Sequence, residues 1–562
     1  MTETFEPKNQ FDIQVALKII RHISSGIYRD RAGSLRELIS NSFDAQAKVV
    51  AVDTGYPKHD TIVVTDDGMG FDEQTLRKSF TQVGLSLKVQ NPEMYQSDLK
   101  RPIIGRFGIG FLAAAHISHD IWIWSYPKES DHGIEVQIDL KPYFLYQDKV
   151  ETFDEFKFGS VKYREIPKRN NEKGTRVELR GVSKSNFHRV LTQDADEKFV
   201  TWPKRGYREE NPGHEMRQLV ERTQRRVNLL YVDRLEGREQ ILWHLGMTAP
   251  VRYLDGGPIR PGHTDAESAK VIQELKEFNE KLNFQLWMDG VEIRKPILLP
   301  TYHVGGGKVE DPDLPKDILV SPVMVSGKSE RGKPVHAKGY LFYQPYRIVP
   351  AELRGLYPRM AGVGIGYTYE NKFLSYLKAE SPILRVQVSG EIYVLNGLDE
   401  ALNLDRSGFM EIDPEYSYLA EEAGRQVTEF FHKAKKAHGQ RENAKKAREA
   451  ATTREKWTKR LRAHAKNLGF TGEVSVRPEK SPKSPTPDFS NVSLYAVGPA
   501  SDLVVDTRQK RITLFSEVSD DVFLAELALT VDQLLNKHAK DPTAAKREFA
   551  KLLQSLVEEL EE

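Results

Sequence analysis

Apolar residues at Ile13, Ala16, Leu17, Ile20 and Ile23 give residues 11–29 the period of an amphipathic helix. Residues 34–47 read as a second helix, entered through Ser34 as N-cap with Glu37 three residues on, the spacing of a capping box. β-rich runs at 48–53, 61–65, 121–125, 134–140 and 175–180 read as strands, and residues 214–231 as another amphipathic helix. Beyond residue 250, short strand-like runs (Phe284–Trp287, Ile318–Val325, Gly339–Tyr343, Ile392–Leu395) alternate with turns and a few helices. Residues 414–468 are helical and turn-poor except at Gly439. Four prolines then mark 475–488 as a linker, and 492–562 read as two or three strands followed by helices near 520–537 and 543–560. The expected organisation is α+β: an N-terminal domain over 1–250, a second α+β domain over 251–412, a basic helical segment over 413–470, a Pro-rich linker over 471–490 and a small C-terminal α/β module over 491–562.

Composition narrows the chemistry. A chain of 562 residues is too long for one core. Lys plus Arg number 82 against 81 Asp plus Glu, so only local charge argues for a polyanion partner. That charge lies between Lys433 and Lys466, where thirteen Lys or Arg face three Glu, a net +10. The bland alternative is a solvated helix, or one neutralised by Glu558, Glu559, Glu561 and Glu562. Cysteine is absent, which removes disulfides, thiolate zinc sites and cysteine nucleophiles. There is no apolar run of membrane-spanning length, and MTETFEPKNQ does not read as a secretory signal, so a cytoplasmic setting is expected. His116 and His119 have no third ligand in view and read as ordinary polar residues.

Four patches in the first 180 residues carry candidate chemistry. Glu37 and Asn41 are four apart and share a helix face, where a carboxylate beside a carboxamide can activate water and complete a magnesium shell. Val63–Phe71 is a strand running into the turn Asp66-Asp67-Gly68-Met69-Gly70, where an Asp can accept from an exocyclic amine and glycines admit a flat ring. Gly105, Gly108 and Gly110 precede an apolar helix-like run, the setting of a phosphate cradle. Gly174-Thr175 leads into a strand. Singly, these patches read equally well as a solvated helix face, a plain turn or an ordinary glycine loop. Gly327-Lys328-Ser329 imitates the end of a P-loop, but Pro322 stands where its first glycine is required.

Together and in this order, the patches resemble the Bergerat nucleotide fold of the GHKL ATPases, and most closely heat-shock protein 90 of the HtpG type. Leu35–Ser42 with Asp44, Ala45 and Lys48 resembles that family's first motif, Thr2–Phe5 its N-terminal strand, Gly105–Ala114 its glycine loop, and Leu402–Phe409 the segment whose arginine reaches the γ-phosphate. The resemblance implies an ATPase sandwich of a mixed sheet and helices, followed by a middle, transducer domain. It implies ATP and Mg2+, with Glu37 as general base, Asn41 on magnesium, Asp66 on the adenine amine, and Thr175 helping through a water. It also implies Gly68 and Gly70 beside the base, Gly105, Gly108 and Gly110 in the phosphate loop, Lys88 from the lid, and Arg406 on the leaving γ-phosphoryl oxygens. Asp44 either bonds the nucleotide or caps the helix network. Lys333, Lys338 and Arg347 are the alternatives to Arg406.

The departures are specific. Asp67 is a second acid, Phe71 ends the motif, and Gly84–Lys88 looks more like the lid entrance of MORC or MutL proteins. The chaperone's large C-terminal dimerisation domain is not recognisable. Two expectations follow: an ATP-gated homodimer acting on a protein client, or a MORC- or MutL-like ATPase on nucleic acid through Lys433–Lys466. A histidine kinase lacks its phosphoacceptor helices here, a type II topoisomerase has no room for its cleavage domain, and the MutL nuclease motif is not visible.

Overall fold

Buried Val50, Val52, Ile62 and Val64 alternate with more exposed neighbours, which sets two adjacent strands with one face inward. The computed structural model describes residues 33–56, 58–81, 101, 104, 114, 117–140, 160–169, 172–182, 207–225, 232, 235, 237–305, 308–310, 317–366, 385–403, 406, 408–478, 489–498, 501–517 and 521–559. The helix expected at 11–29, the strand at Thr2–Phe5, and Lys88, Gly105, Gly108, Gly110 and His116 lie outside these residues. The chain divides into two units, residues 1–436 and 437–562.

In the first unit, α1 (Gly33–Asp44) and α2 (Glu73–Thr81) accompany β1 (Val49–Asp53), β2 (Thr61–Asp66), β3 (Asp120–Tyr126), β4 (His132–Asp139), β5 (Ser160–Pro167) and β6 (Gly174–Arg180). Then α3 (His214–Arg225), α4 (Gly237–Thr248) and α5 (Ala266–Lys281) lead to β7 (Gln285–Met288) and β8 (Val291–Ile293). The eight strands form one mixed sheet in the order β5-β4-β3-β6-β2-β1-β7-β8, antiparallel except where β7 runs parallel to β1. A boundary at residue 250 is therefore corrected: β7 and β8 complete the sheet begun at β1, and a fragment cut at 250 would leave β1 without that neighbour. Gly33 is already helical, so Ser34 lies inside α1 rather than at its cap. Strand β5 has no counterpart among the sequence expectations, because its half-exposed, charge-rich run Ser160–Pro167 lacks an apolar face strong enough to read.

A hairpin of β9 (His303–Gly305) and β10 (Lys308–Glu310) precedes the second sheet. That sheet comprises β11 (Leu319–Lys328), β12 (Pro334–Tyr343), β13 (Gly355–Met360), β14 (Val363–Gly364) and β15 (Val388–Asn396), in the order β11-β12-β15-β13-β14. The long helix α6 (Pro414–Asn467) starts in this unit with Tyr416, Leu419, Ala423, Val427, Phe430 and Ala434 buried at three- and four-residue spacing. Gln426 on α6 completes the outer edge of β11: its Oε1 accepts from Met324 N at 3.0 Å and its Nε2 donates to Met324 O at 2.8 Å.

A fully buried polar network joins the helices to the second sheet. Glu391 on β15 accepts from Arg359 Nε of β13, from Tyr253 OH at 2.7 Å and from Tyr340 OH at 2.8 Å. Arg359 also donates to Met247 O of α4 at 2.7 Å. Lys295, directly after β8, donates to Asn279 Oδ1 on α5 at 2.8 Å, and Asn279 donates to Tyr393 OH at 2.9 Å. Burial holds the Lys295 amine well below its ordinary range. One chain of bonds thus runs from the end of the first sheet through α4 and α5 into the second.

The second unit carries β16 (Glu473–Arg477), β17 (Val492–Gly498), β18 (Ser501–Asp506) and β19 (Arg511–Phe515) in the order β16-β19-β18-β17, with α7 (Asp521–His538) and α8 (Pro542–Glu559). Two expected boundaries are corrected here. Residues 473–477 pair with β19 as a strand, so the module starts before the prolines; and Leu461 and Ala465 of α6 sit in the module's core, so the basic segment is not separate from it.

Removing Glu391 strands the buried Arg359 charge. Glu391→Ala is expected to cost the first unit about 3–5 kcal/mol, measured as a lowered urea midpoint of its unfolding transition.

Candidate nucleotide site

Helix α1 buries Leu35, Ile39 and Phe43 at four-residue intervals, which fixes the rotation of the helix and leaves Asn41 half-buried on another side. Asp66, at the end of β2, is buried against this helix. Its Oδ2 accepts from Ser42 Oγ at 2.8 Å, and its Oδ1 from Gly68 N at 2.9 Å and Thr175 N at 3.2 Å. Thr175 reaches Asp66 because β2 and β6 pair in that register. Burial raises the Asp66 carboxyl above its ordinary range, while the three donors pull it back. Gly174 makes the approach feasible: its φ is +87°, and a Cβ there would lie 2.0 Å from Asp66 O. Gly70, at φ +68°, is held against Tyr126 at the end of β3, where a Cβ would meet the carbonyl oxygen at 2.7 Å.

The second acid has a structural task. Asp67 Oδ1 accepts from Lys48 N at 2.7 Å and Val49 N at 2.9 Å, closing the start of β1 onto the end of β2. Asp44 Oδ1 accepts from Ile104 N at 2.7 Å, one residue before Gly105 in sequence.

Sequence reasoning misses four partners. Arg101 lays its guanidinium over Phe43 at 4.8 Å and donates to Ala47 O at 2.6 Å and Asn283 O at 2.7 Å, pinning the end of α1 to the start of β7. Burial brings its pKa down to about 10. Ser42 holds Asp66, and Ser40 and Arg36 flank Glu37. No spacing rule marks a buried arginine or serine, since such bonds are long-range. Arg36, Ser40 and Ser42 at least sit inside the first motif; Arg101 carries no signal at all.

Arg406 arrives from the far side of the chain. Leu402 and Phe409 face each other across an antiparallel bridge, Asn403 N donates to Gly408 O at 3.0 Å, and Arg406 sits at φ +53°, a left-handed conformation uncommon outside glycine. Its Nη2 lies 3.4 Å from Glu37 Oε2, its Nη1 donates to Ser40 Oγ at 3.0 Å, and its Nη2 also faces Ile104 O at 3.4 Å. Arg36 Nη2 stands 3.7 Å from Glu37 Oε1 on the other side. Arg406 Nε is buried and finds no acceptor among the described residues. The structure therefore brings together Glu37, Asn41, Asp44, Asp66, Gly68, Gly70 and Thr175 around α1 and β2, with Arg406 against Glu37; Lys333 and Lys338 instead pair with Glu400 at 2.7 Å and Glu274 at 2.9 Å. Lys88 and the three loop glycines lie outside the described residues.

Residues 29–161 match the family model described as histidine kinase-, DNA gyrase B- and HSP90-like ATPase. The chaperone protein HtpG of Bacteroides fragilis is 30% identical over 143 residues, 22% of this chain and 21% of that protein. HtpG of Porphyromonas gingivalis is 31% identical over 115 residues, 18% of this chain and 17% of that protein. A putative type II restriction enzyme, HgiDII, of Herpetosiphon aurantiacus is 22% identical over 194 residues, 34% of this chain and 29% of that protein. The chain thus spans less than a third of the length of each of these relatives.

The raised Asp66 pKa has a sign. Its stabilising contribution is full below the unfolded value of 3.8 and is lost as pH rises through the higher native value. Asp66→Asn removes that loss and keeps acceptors for Gly68 and Thr175. Its melting temperature is expected to equal or exceed wild type at pH 7, with the gap closing in acid, as a pH series of thermal melts would record.

Proposed function

We propose that this chain, whose residues 29–161 match the histidine kinase-, DNA gyrase B- and HSP90-like ATPase model, binds ATP and hydrolyses it to ADP and phosphate, closing a homodimer on a protein client. The observation that carries this is the contact of Arg406 with Glu37. Two guanidiniums now stand by that carboxylate, Arg406 at 3.4 Å and Arg36 at 3.7 Å. An arriving γ-phosphate competes for Arg406, whose Nε has spare donor capacity among the described residues. Glu37 is then released to take a proton from the attacking water as the bond to the ADP oxygen breaks, and Arg406 stabilises the charge on the γ-phosphoryl oxygens. Magnesium would be held by Asn41 together with phosphate and water oxygens, neutralising phosphate charge; a site with one protein oxygen suits that ion. Asp66 receives the adenine amine. No helix among the described residues is long and apolar enough to cross a membrane, and a cytoplasmic setting forms part of this reading.

Each role separates in solution. ATP at about a hundred times its Kd should stabilise wild type by roughly 2.7 kcal/mol, a shift that Asp66→Asn abolishes. Glu37→Ala should keep that thermal shift and lose a factor on the order of 10²–10⁴ in turnover. Arg406→Ala should lose about 10²–10³ in turnover and show less cross-linked closed dimer with a non-hydrolysable analogue. Wild-type turnover in either variant would remove the assigned role.

A second reading has its own observation. Residues 435–460 of α6 include no buried position, so the basic run Lys433–Lys466 is presented largely to solvent, and one relative carries a restriction-enzyme name. Ion pairs with Glu449, Glu455 and Glu526 hold Lys445, Lys459 and Arg460. If the segment contacts nucleic acid, affinity in a gel-shift titration should fall steeply with salt. Replacing Lys433, Lys456 and Lys466 by Gln should flatten the log–log slope on duplex DNA by about 0.9 for each phosphate no longer neutralised. Salt-independent or absent binding leaves the client-directed machine.

A further inference from the structure

A cavity of about 250 Å³ opens in the first unit, lined by Arg217 of α3, by the turn that joins α4 to α5, and by Leu298. None of its lining residues belongs to the nucleotide site described above. The turn is laid along the stretch that follows β8: Tyr253 bridges Lys295 and Ile259 bridges Leu299, both in the parallel sense. Ile259 and Leu298 are buried and make part of the lining apolar. Gly257 is buried at φ +87°, yet a Cβ there would meet nothing within 4 Å. The backbone demands a glycine at that point, and the missing side chain leaves the space open.

The cations on this lining are placed for an anion. Arg260 is fixed through its backbone, where N donates to Leu299 O at 2.7 Å, and its Nε faces Pro300 O at 3.4 Å. Its Nη2 is buried and has no acceptor among the described residues. A buried donor without a partner is costly, so an acceptor entering the cavity is favoured. Arg217, half-buried, donates to Asp255 O at 2.7 Å and stands 3.3 Å from Glu221. A guanidinium carries more donors than those two contacts use. Arg225 and Arg260 share the ring of Tyr302, at 4.3 and 5.6 Å from its centroid, which adds a third positive group beside the cavity. A smaller cavity of about 50 Å³ shares Arg217 and Asp255 and adds Arg294, whose Nε is also buried without an acceptor among the described residues. Glu221, Glu292 and the exposed Asp255 offset part of this charge.

Size limits the occupant. The cavity falls below the ~300–1,000 Å³ of sites for drug-sized molecules, which calls for a compact ligand. Its head has to offer acceptors to two guanidiniums, as a phosphate dianion does, and its body has to suit Ile259 and Leu298. We infer that this cavity binds a small phosphate monoester with an apolar body, the phosphate held by Arg260 and Arg217. The site stands apart from the ATPase reading, and its test needs no nucleotide.

The probe is phenyl phosphate, titrated calorimetrically into the full chain in phosphate- and nucleotide-free buffer. Wild type should bind it saturably and more tightly than inorganic phosphate, which lacks the apolar body. Arg260→Gln and Arg217→Gln should each weaken binding about tenfold or more, the scale of one lost charged hydrogen bond. Lys281→Gln, an exposed cation at the end of α5, should bind as wild type does. Hydrogen exchange on wild type alone decides the matter if the arginine variants do not fold. Phenyl phosphate should slow exchange in peptides covering residues 253–262 and leave those covering 61–71 unchanged. Absence of binding would leave the cavity to water and overturn the inference. Equal affinity for inorganic phosphate, full affinity in Arg260→Gln, or protection at 61–71 instead of 253–262 would overturn it as well.

Discussion

A guanidinium on a turn near residue 406 touches α1 at two points, Glu37 and Ser40, the latter 366 residues away in sequence. That reach exists only because the chain between them is built back onto the first sheet. β7 lies parallel to β1, Arg101 locks the start of β7 to the end of α1, and the buried bonds from Lys295 to Glu391 carry the connection into the second sheet. These links are polar and largely shielded, so the position of Arg406 is set by bonds that cannot be exchanged cheaply for water. The strained backbone at Arg406 is tolerated on the same account: the bridge between Leu402 and Phe409 and the contacts with Glu37, Ser40 and Ile104 over-determine it.

Much of this is legible from local pattern. Strands β1, β2, β3, β4 and β6, the helix α1 and the long α6 all follow from periodicity, with only their ends displaced. The site is legible in a different way: the order of four short motifs places Glu37, Asn41, Asp66 and Thr175 in one neighbourhood, and the antiparallel register of β2 and β6 supplies the physical reason. What stays hidden is the long-range half. No residue of Gln285–Ile293 announces that its partner strand is β1 rather than β11, because a parallel neighbour leaves no turn signal between the two. Strand Glu473–Arg477 is obscured likewise, by prolines just beyond it and a parallel partner on the far side of them. Buried arginines are the other blind spot. Arg36, Arg101 and Arg359 read as surface charge in sequence, and only the folded chain shows the carbonyls and carboxylates that hold them.

The second acid of the Asp66-Asp67 turn shows how a departure from a family pattern can be structural. Asp66 faces Ser42 and the strand β6, whereas Asp67 turns to the amides at the start of β1. Adjacent carboxylates repel, yet their hydrogen-bond donors come from different elements, and each is partly neutralised by its own set. The pair therefore ties helix, turn and both strands together at the place where a nucleotide base is expected.

Gln426 has a mechanical consequence. With its single amide it closes both open groups of Met324 on the rim of β11, in the way a further strand would. The opening turns of α6 and the rim of that sheet are consequently zipped at one tooth. Lifting the helix would bare a strand edge and forfeit a matched donor and acceptor in the same movement, so helix and edge are released as one event and small excursions of either are resisted by the other.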